Sequence, residues 1–180
     1  MMLLDRRSLL DAVAMLIGAA ALPGHALGAA AAAAGPSLFD RTTRDLVTAV
    51  ADTLLPRTDT PGAVDADVPQ TCEALLRDWA SPARRAACLG VLRAIDARAV
   101  GETGAPFAAL EPARRKALLA AHDTERLGRD ADYTMTRDLL VALYYLSEPG
   151  ATQELRYEHA PGAWEPSIPL TAQTRAWAGA

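Results

Sequence analysis

The sequence predicts an all-α fold: a small bundle of about five helices followed by an irregular tail rich in proline and glycine. Three observations carry that expectation. Apolar residues make up 51% of the 180-residue chain and aromatic residues only 5%, with alanine abundant throughout; alanine is the best helix former and lets helices pack closely. Between positions 40 and 147 the apolar residues recur at three- and four-residue intervals, the period of one helix face. From Pro149 onward, proline and glycine interrupt the chain too often for a long helix to survive.

The charge balance narrows the partners. The chain carries a net charge of −4 and a pI near 5.3. Nucleic-acid binders present basic patches, and anionic lipid surfaces attract basic segments. Neither partner suits this composition.

The first thirty-five residues read as an export address. Met1 to Asp11 is a short polar start containing Arg6 and Arg7, Ala12 to Leu22 is apolar, and Pro23-Gly24 ends the run. Small residues from Ala26 to Ala30 suit a signal peptidase. The apolar run is far shorter than the roughly twenty residues that span a bilayer. Asp5-Arg6-Arg7-Ser8-Leu9-Leu10 resembles the leader of the twin-arginine pathway, with Leu9 and Leu10 as the apolar pair and Asp11 where a lysine often stands. That pathway carries proteins already folded, often with a cofactor loaded. An alanine-rich linker, Ala29 to Gly35, joins this leader to a single domain over 36–180. Cleavage within the linker removes Asp5 and Asp11 with Arg6 and Arg7, so the net charge stays at −4.

The first helix is expected over Asp40 to Leu55, with Leu46, Val47, Val50, Ala51, Leu54 and Leu55 on one face and Thr42 with Asp45 as a capping pair. Pro56 stops it. Arg57-Thr58-Asp59-Thr60-Pro61-Gly62-Ala63 is dense in turn formers and should be an ordered loop, stiffened by its prolines and by side-chain bonds to nearby backbone. Val68-Pro69 opens a second helix to about Ala80, with Leu75, Leu76 and Trp79 as its inner stripe. Ser81-Pro82, a good cap and a good first residue, starts a third to about Val100, burying Cys88, Leu89, Leu92, Ile95 and Ala99. Gly101 to Pro106 is a break. Glu111-Pro112 begins a fourth, with Leu118, Leu119 and Ala121 inward and Arg114, Arg115 and Lys116 outward. Asp132 to Ser147 forms the fifth and most apolar helix. Gln153 to Glu158 suits a short extended piece. The tail keeps Leu155, Tyr157, Trp164, Ile168, Leu170 and Trp177, too many apolar residues for a disordered segment, so it is expected to wrap over the bundle or over a partner.

The residues carry little catalytic chemistry. Gly101-Glu102-Thr103-Gly104 lacks the third glycine and preceding strand of a nucleotide loop. There is no Cys-x-x-Cys-His and no iron–sulphur cluster spacing. His25 belongs to the leader. His122 beside Asp123 reads as solvated surface or a helix-end charge, which leaves His159 in the tail. Ser147 and Ser167 have no nucleophile-elbow context. Asp65, Asp67, Asp130 and Asp132 read as helix-start carboxylates, and Asp59, Asp65 and Asp67 lack calcium-loop spacing. Cys72 and Cys88 fit two readings: one disulfide across an antiparallel hairpin in an oxidising compartment, or two buried, unpaired thiols. Tyr144 to Tyr157 concentrates tyrosine and arginine, residue types enriched in interface cores, and it fits two readings: tyrosines that cap the bundle core, or a segment that docks a partner.

Two of these segments are familiar. Leu55 to Ala63 resembles the first hallmark of the gluconate 2-dehydrogenase subunit 3 family. Tyr144-Tyr145, Ser147-Glu148, Gly150-Ala151-Thr152 and Leu155-Arg156-Tyr157 resemble the second, and Pro161-Gly162 with Ile168-Pro169-Leu170 fits the family's ending. Pro149 departs from the pattern. The resemblance covers about Phe39 to Leu170.

It implies a small, non-catalytic subunit of a periplasmic, membrane-associated dehydrogenase with no cofactor of its own. FAD is expected on a large partner of the glucose-methanol-choline type and haem c on a cytochrome subunit. It also accounts for the leader: a cofactor-free chain uses the folded-protein translocase because its partner carries FAD. The contact surface is expected at Arg57, Thr58, Asp59 and Thr60, and at Tyr144, Tyr145, Glu148, Gln153, Arg156 and Tyr157. The alternatives are an independent periplasmic enzyme, a stand-alone module for a small molecule or lipid, and a purely structural subunit.

Overall fold

A computed structural model describes residues 37–157 together with 162, 167, 169–171 and 174–177. The leader residues Arg6, Arg7, Leu9 and Leu10 lie outside the described residues, as do His25 and His159. One compact unit runs from Leu38 to Ala180. Its described residues form five α-helices and no strand: α1 Arg41–Leu54, α2 Val68–Asp78, α3 Pro82–Thr103, α4 Pro112–Arg126 and α5 Ala131–Tyr145. A 3-10 turn covers Phe107–Ala109, and one π turn covers Gly150–Glu154. The all-helical expectation holds.

Local chemistry sets the helix ends. Asp40, two residues before Thr42 of the expected Thr42/Asp45 pair, caps α1 by accepting from the Thr43 amide at 2.7 Å. Ser81 caps α3 through the Arg84 amide, and Pro82 takes the first turn where no amide is needed. α3 runs through Gly101 and stops at Gly104, whose φ of 76° suits glycine and whose amide returns to the Val100 carbonyl. Asp130 caps α5, accepting from the amides of Asp132 and Tyr133. The helix-start reading of that carboxylate therefore stands. Asp67 precedes α2 in the left-handed region, φ 53°, which aspartate tolerates better than most residues.

The core is shared by all five helices: α2 and α3 pack against α5, and α1 packs against α2, α3 and α4. Val47, Leu76, Leu92, Ile95, Leu140 and Phe107 are essentially sealed from water. Each such side chain contributes about 1.5–3 kcal/mol on burial. Phe107 belongs to the 3-10 turn that follows the expected break. Its amide donates to the Asp96 carboxylate at 2.8 Å, which holds the turn against α3.

Several expectations fail at helix faces. Trp79 is 84% exposed instead of lining the core. α2 ends at Asp78, and Arg85 reaches back from α3 to bond the Leu76 and Arg77 carbonyls, so Trp79 leaves the helix before its stripe turns inward. On α4 the buried stripe is Leu118, Leu119 and His122, while Ala121 faces water. Position 122, four residues after 118, shares its face. Arg115, expected outward, lies largely buried against Asp52 at 3.3 Å. Leu146 is 82% exposed. Gln153 and Glu154 belong to the π turn and not to an extended piece, because the Leu155 amide closes on the Gly150 carbonyl at 2.9 Å.

Candidate functional site

The two hallmark segments, more than eighty positions apart in the chain, meet in a polar clasp. Tyr144 on α5 donates its hydroxyl to the Pro61 carbonyl at 2.7 Å. Thr60 donates to the Glu154 carboxylate. Inside the loop, the Ala63 amide bonds the Leu55 carbonyl and the Thr58 amide bonds the Thr60 carbonyl. Asp65 accepts from the Gly62 amide and pairs with Arg57. The Arg57 guanidinium, helped by that amide, holds the Asp65 carboxyl below the usual carboxylate range. Burial pushes the Tyr144 phenol up, and the nearby Glu154 carboxylate adds to it. The hydroxyl therefore stays protonated and remains a donor.

Two glycines make the clasp sterically feasible. A Cβ on Gly62 would stand 2.6 Å from the Arg57 nitrogen. A Cβ on Gly150 would collide with the Tyr144 carbonyl. Ser147 bridges the same corner: its hydroxyl donates to the Tyr144 carbonyl at 2.6 Å and accepts from the Gly150 amide at 3.2 Å. That is a helix-ending role for Ser147.

The expected contact residues divide sharply. Thr60 and Tyr144 are buried within the clasp, and Tyr145 is half-buried edge-on to the Tyr144 ring. Arg57, Thr58, Asp59, Glu148 and Gln153 face water. Arg156 stacks on the Trp177 ring at 4.1 Å, and its amide bonds the Ala176 carbonyl. The tail thus returns to the end of the second hallmark, and Tyr157 lies beside that contact, 55% exposed.

α5 carries a second apolar stripe that the sequence pattern leaves merged with the first. Tyr133, Thr136, Leu140 and Tyr144 face the core. Met135, Leu139, Ala142 and Leu146 form the opposite face, from partly to almost fully exposed. Leu75 of α2 and Trp79, just past its end, face Met135, Leu139 and Ala142 across an open groove of about 500 Å³, with Arg84 and Asp138 among its polar lining. Helical spacing shows which residues share each face once the core face is known. A larger groove of about 740 Å³ runs between α1, the first hallmark loop and the 3-10 turn, where Asp45, Asp52, Asp65 and Asp96 line it with Arg57 and Arg115.

His122 is 5% exposed, which corrects its reading as a surface residue. Its ring packs edge-on against Tyr133, whose hydroxyl donates to Asp123, and Arg137 pairs with the same carboxylate. Nδ1 of His122 has no partner. Burial, with the Arg98 and Arg126 charges, pulls its pKa below the ordinary value. The environment favours a neutral packing histidine. Cys72 and Cys88 are both buried as free thiols. Among the described residues, no group of three or more His, Cys, Asp and Glu side chains is placed to hold a metal ion. No described helix is long and apolar enough to cross a membrane.

Comparison with known proteins identifies the clasp's two halves as parts of one family pattern. The family described as Gluconate 2-dehydrogenase subunit 3 matches residues 41–162, from the start of α1 past the π turn. No curated protein and no solved structure matches the chain. The match covers both hallmark segments and all five helices, and on that ground the chain belongs to the gluconate 2-dehydrogenase subunit 3 family.

Proposed function

We propose that this protein is the non-catalytic small subunit of a periplasmic, membrane-associated, FAD-dependent dehydrogenase acting on a sugar, sugar acid or alcohol. Its work is assembly. It binds the folded flavin subunit in the cytoplasm, assists its maturation, and lends it the Arg6-Arg7 leader for export through the twin-arginine translocase. A cytochrome c subunit completes the complex, and the substrate is chosen by the flavin subunit.

The observation that carries this reading is the family match, since a third subunit implies other dehydrogenase subunits. The outer face of α5 supports it. Met135, Leu139 and Ala142 line an open groove with Trp79, and both Trp79 and Leu146 are more than four-fifths exposed. Tryptophan is among the commonest energetic anchors of protein interfaces. The flavin subunit is the occupant assigned to this face. Arg57, Thr58, Asp59, Glu148 and Gln153 of the hallmark segments, together with Arg156 and Tyr157, extend the contact as its polar rim.

The test is a pull-down of the tagged chain from its own cells, with mass spectrometry and a flavin absorbance scan. A yellow eluate holding a large dehydrogenase in near-equal amount is expected. A colourless, solitary chain under gentle extraction overturns the reading. Replacing Arg6 and Arg7 with lysine should strand both subunits in the cytoplasm; arrival of the flavin subunit in the periplasm despite that change removes the export role. The competing reading, a stand-alone binding module with the fifth helix lining its pocket, has the 500 Å³ groove beside α5 as its candidate site. A small molecule retained there through purification would favour it.

A further inference from the structure

We propose that Cys72 and Cys88 are a disulfide site joining α2 to α3 that closes only before the chain folds or when α2 opens, so that a chain folded under reducing conditions keeps a sealed dithiol. This goes beyond the assembly role and does not depend on it.

The placement follows from the hairpin. α2 and α3 are consecutive, joined through Trp79, Ala80 and Ser81, with Pro82 opening α3. Cys72 and Cys88 sit on the facing sides of the two helices and are 0% and 1% exposed. The two thiols act on each other: the neighbouring Cys88 and burial hold the proton on Cys72, whereas Cys72, and after it the Thr136 hydroxyl of α5, pull Cys88 down. Cys88 is the sulfur that ionises first.

Closure needs an oxidant, here a disulfide of a small thiol or a thiol oxidoreductase. The Cys88 thiolate attacks one sulfur of that disulfide and releases a thiolate. The Cys72 thiolate then attacks the Cys88 sulfur of the mixed disulfide and releases the second. One S–S bond forms, one breaks, and two electrons and two protons pass from the pair to the oxidant. The intermediate requires a bulky group on Cys88. Cys88 lines the groove together with Trp79, Arg84 and Leu139 and has almost no exposed surface. The folded packing blocks the first attack, and the unfolded chain presents both thiols freely. α2, with eleven residues and an exposed outer face, is the element whose opening admits the oxidant.

The consequence is a chemical record of where folding took place. A chain folded in a reducing cytoplasm and exported intact carries two thiols into an oxidising compartment. A chain folded after export carries the bond.

The test uses the purified full chain and a mixture of reduced and oxidised glutathione. Reduced chain unfolded in urea is refolded in that buffer, blocked with an alkylating reagent, and mapped by mass spectrometry. A Cys72–Cys88 linkage and a higher Tm than the reduced form are expected. Folded, reduced chain in the same buffer should oxidise at least about 100-fold more slowly than the unfolded chain, and faster as the temperature approaches its Tm. Absence of the linkage when both the refolded chain and the chain held near its Tm are examined overturns the pairing. Rapid oxidation or glutathione attachment in the folded chain at low temperature overturns the sealing. The Cys72→Ser variant, mapped in parallel, should carry no linkage and should keep the helical content of the parent chain.

Discussion

The clasp and the outer face of α5 are built from opposite materials and treated oppositely by the fold. The clasp is rich in residues that suit recognition: threonine, tyrosine, glutamate and arginine. Its central members nevertheless bond one another, Thr60 to Glu154 and Tyr144 to Pro61, and two of them are buried. The outer face is aliphatic and aromatic, the material of a core, and it lies open to water at Trp79 and Leu146. The polar group that looks like an interface fastens a loop to a helix end. The apolar group that looks like core lies open to water. Residue type alone misleads in both places, because a side chain's role is set by whether its partner comes from the same chain.

The comparison can be broken most severely at Gly150. Gly150→Ala forces a Cβ into the Tyr144 carbonyl, and overpacking of this kind costs about 3 kcal/mol at its upper range. Thermal unfolding should show a fall of roughly 10 °C in Tm. An unchanged Tm would mean that the corner relaxes easily and that the clasp is not a stability element.

Next comes the outer face. Trp79→Ala should leave stability within about 0.5 kcal/mol, since the residue is exposed. It should weaken binding of the flavin subunit by roughly 30-fold, the effect of a hot-spot residue. Titration calorimetry and a melting curve on the same variant separate the two quantities. Loss of stability with normal binding would reverse the assignment.

Tyr144→Phe sharpens the contrast from the clasp side. It removes the bond to the Pro61 carbonyl without removing the ring, so the expected cost is about 1 kcal/mol. Binding to the flavin subunit should hold. A binding defect larger than the stability loss would show that loop 57–63 reaches the partner through this anchor.

The smallest effect lies in neither region. His122 is held below its ordinary pKa, chiefly by burial. Below about pH 6.5, the ordinary histidine value, the unfolded chain takes up a proton that the folded chain refuses. Stability is therefore full above that pH and declines as pH falls toward the folded value. Denaturant melts of the parent chain and His122→Gln at pH 7.5 and 5.5 should show a shallower loss in the variant. Equal losses would mean that His122 opens to water before it titrates.

Much of the fold is legible in the sequence, and the reasons are local. Asp130, Ser81 and Pro82 mark helix starts because their side chains or rings act within one turn. Leu46, Val47, Val50 and Ala51 share a face because 3.6 residues make a turn. The break after α3 is legible as well, although Gly101 is helical and Gly104 performs the stop. The misses are nonlocal. Trp79 is turned out by a guanidinium from the next helix, and Arg115 is drawn in by Asp52, sixty-three positions away. His122 and Ala121 exchange places because a helix rotates by about 100° per residue, so a one-residue error in choosing the inward face reverses the assignment.

By itself the sequence determined an all-helical chain, the order and approximate ends of its helices, its acidic character and, through two spaced motifs, its family. Those properties follow from periodicity, capping chemistry and composition, which act over a few residues or need no geometry at all. Only the tertiary structure decided that the two motifs meet, that Gly62 and Gly150 are demanded by close backbone approach, that α5 has two apolar faces with one left uncovered, and that Cys72 and Cys88 are both sealed in the core. Each of those depends on which distant segment arrives at a surface. That arrival is settled by packing the whole core at once, because burial rewards any apolar contact and is indifferent to its distance along the chain.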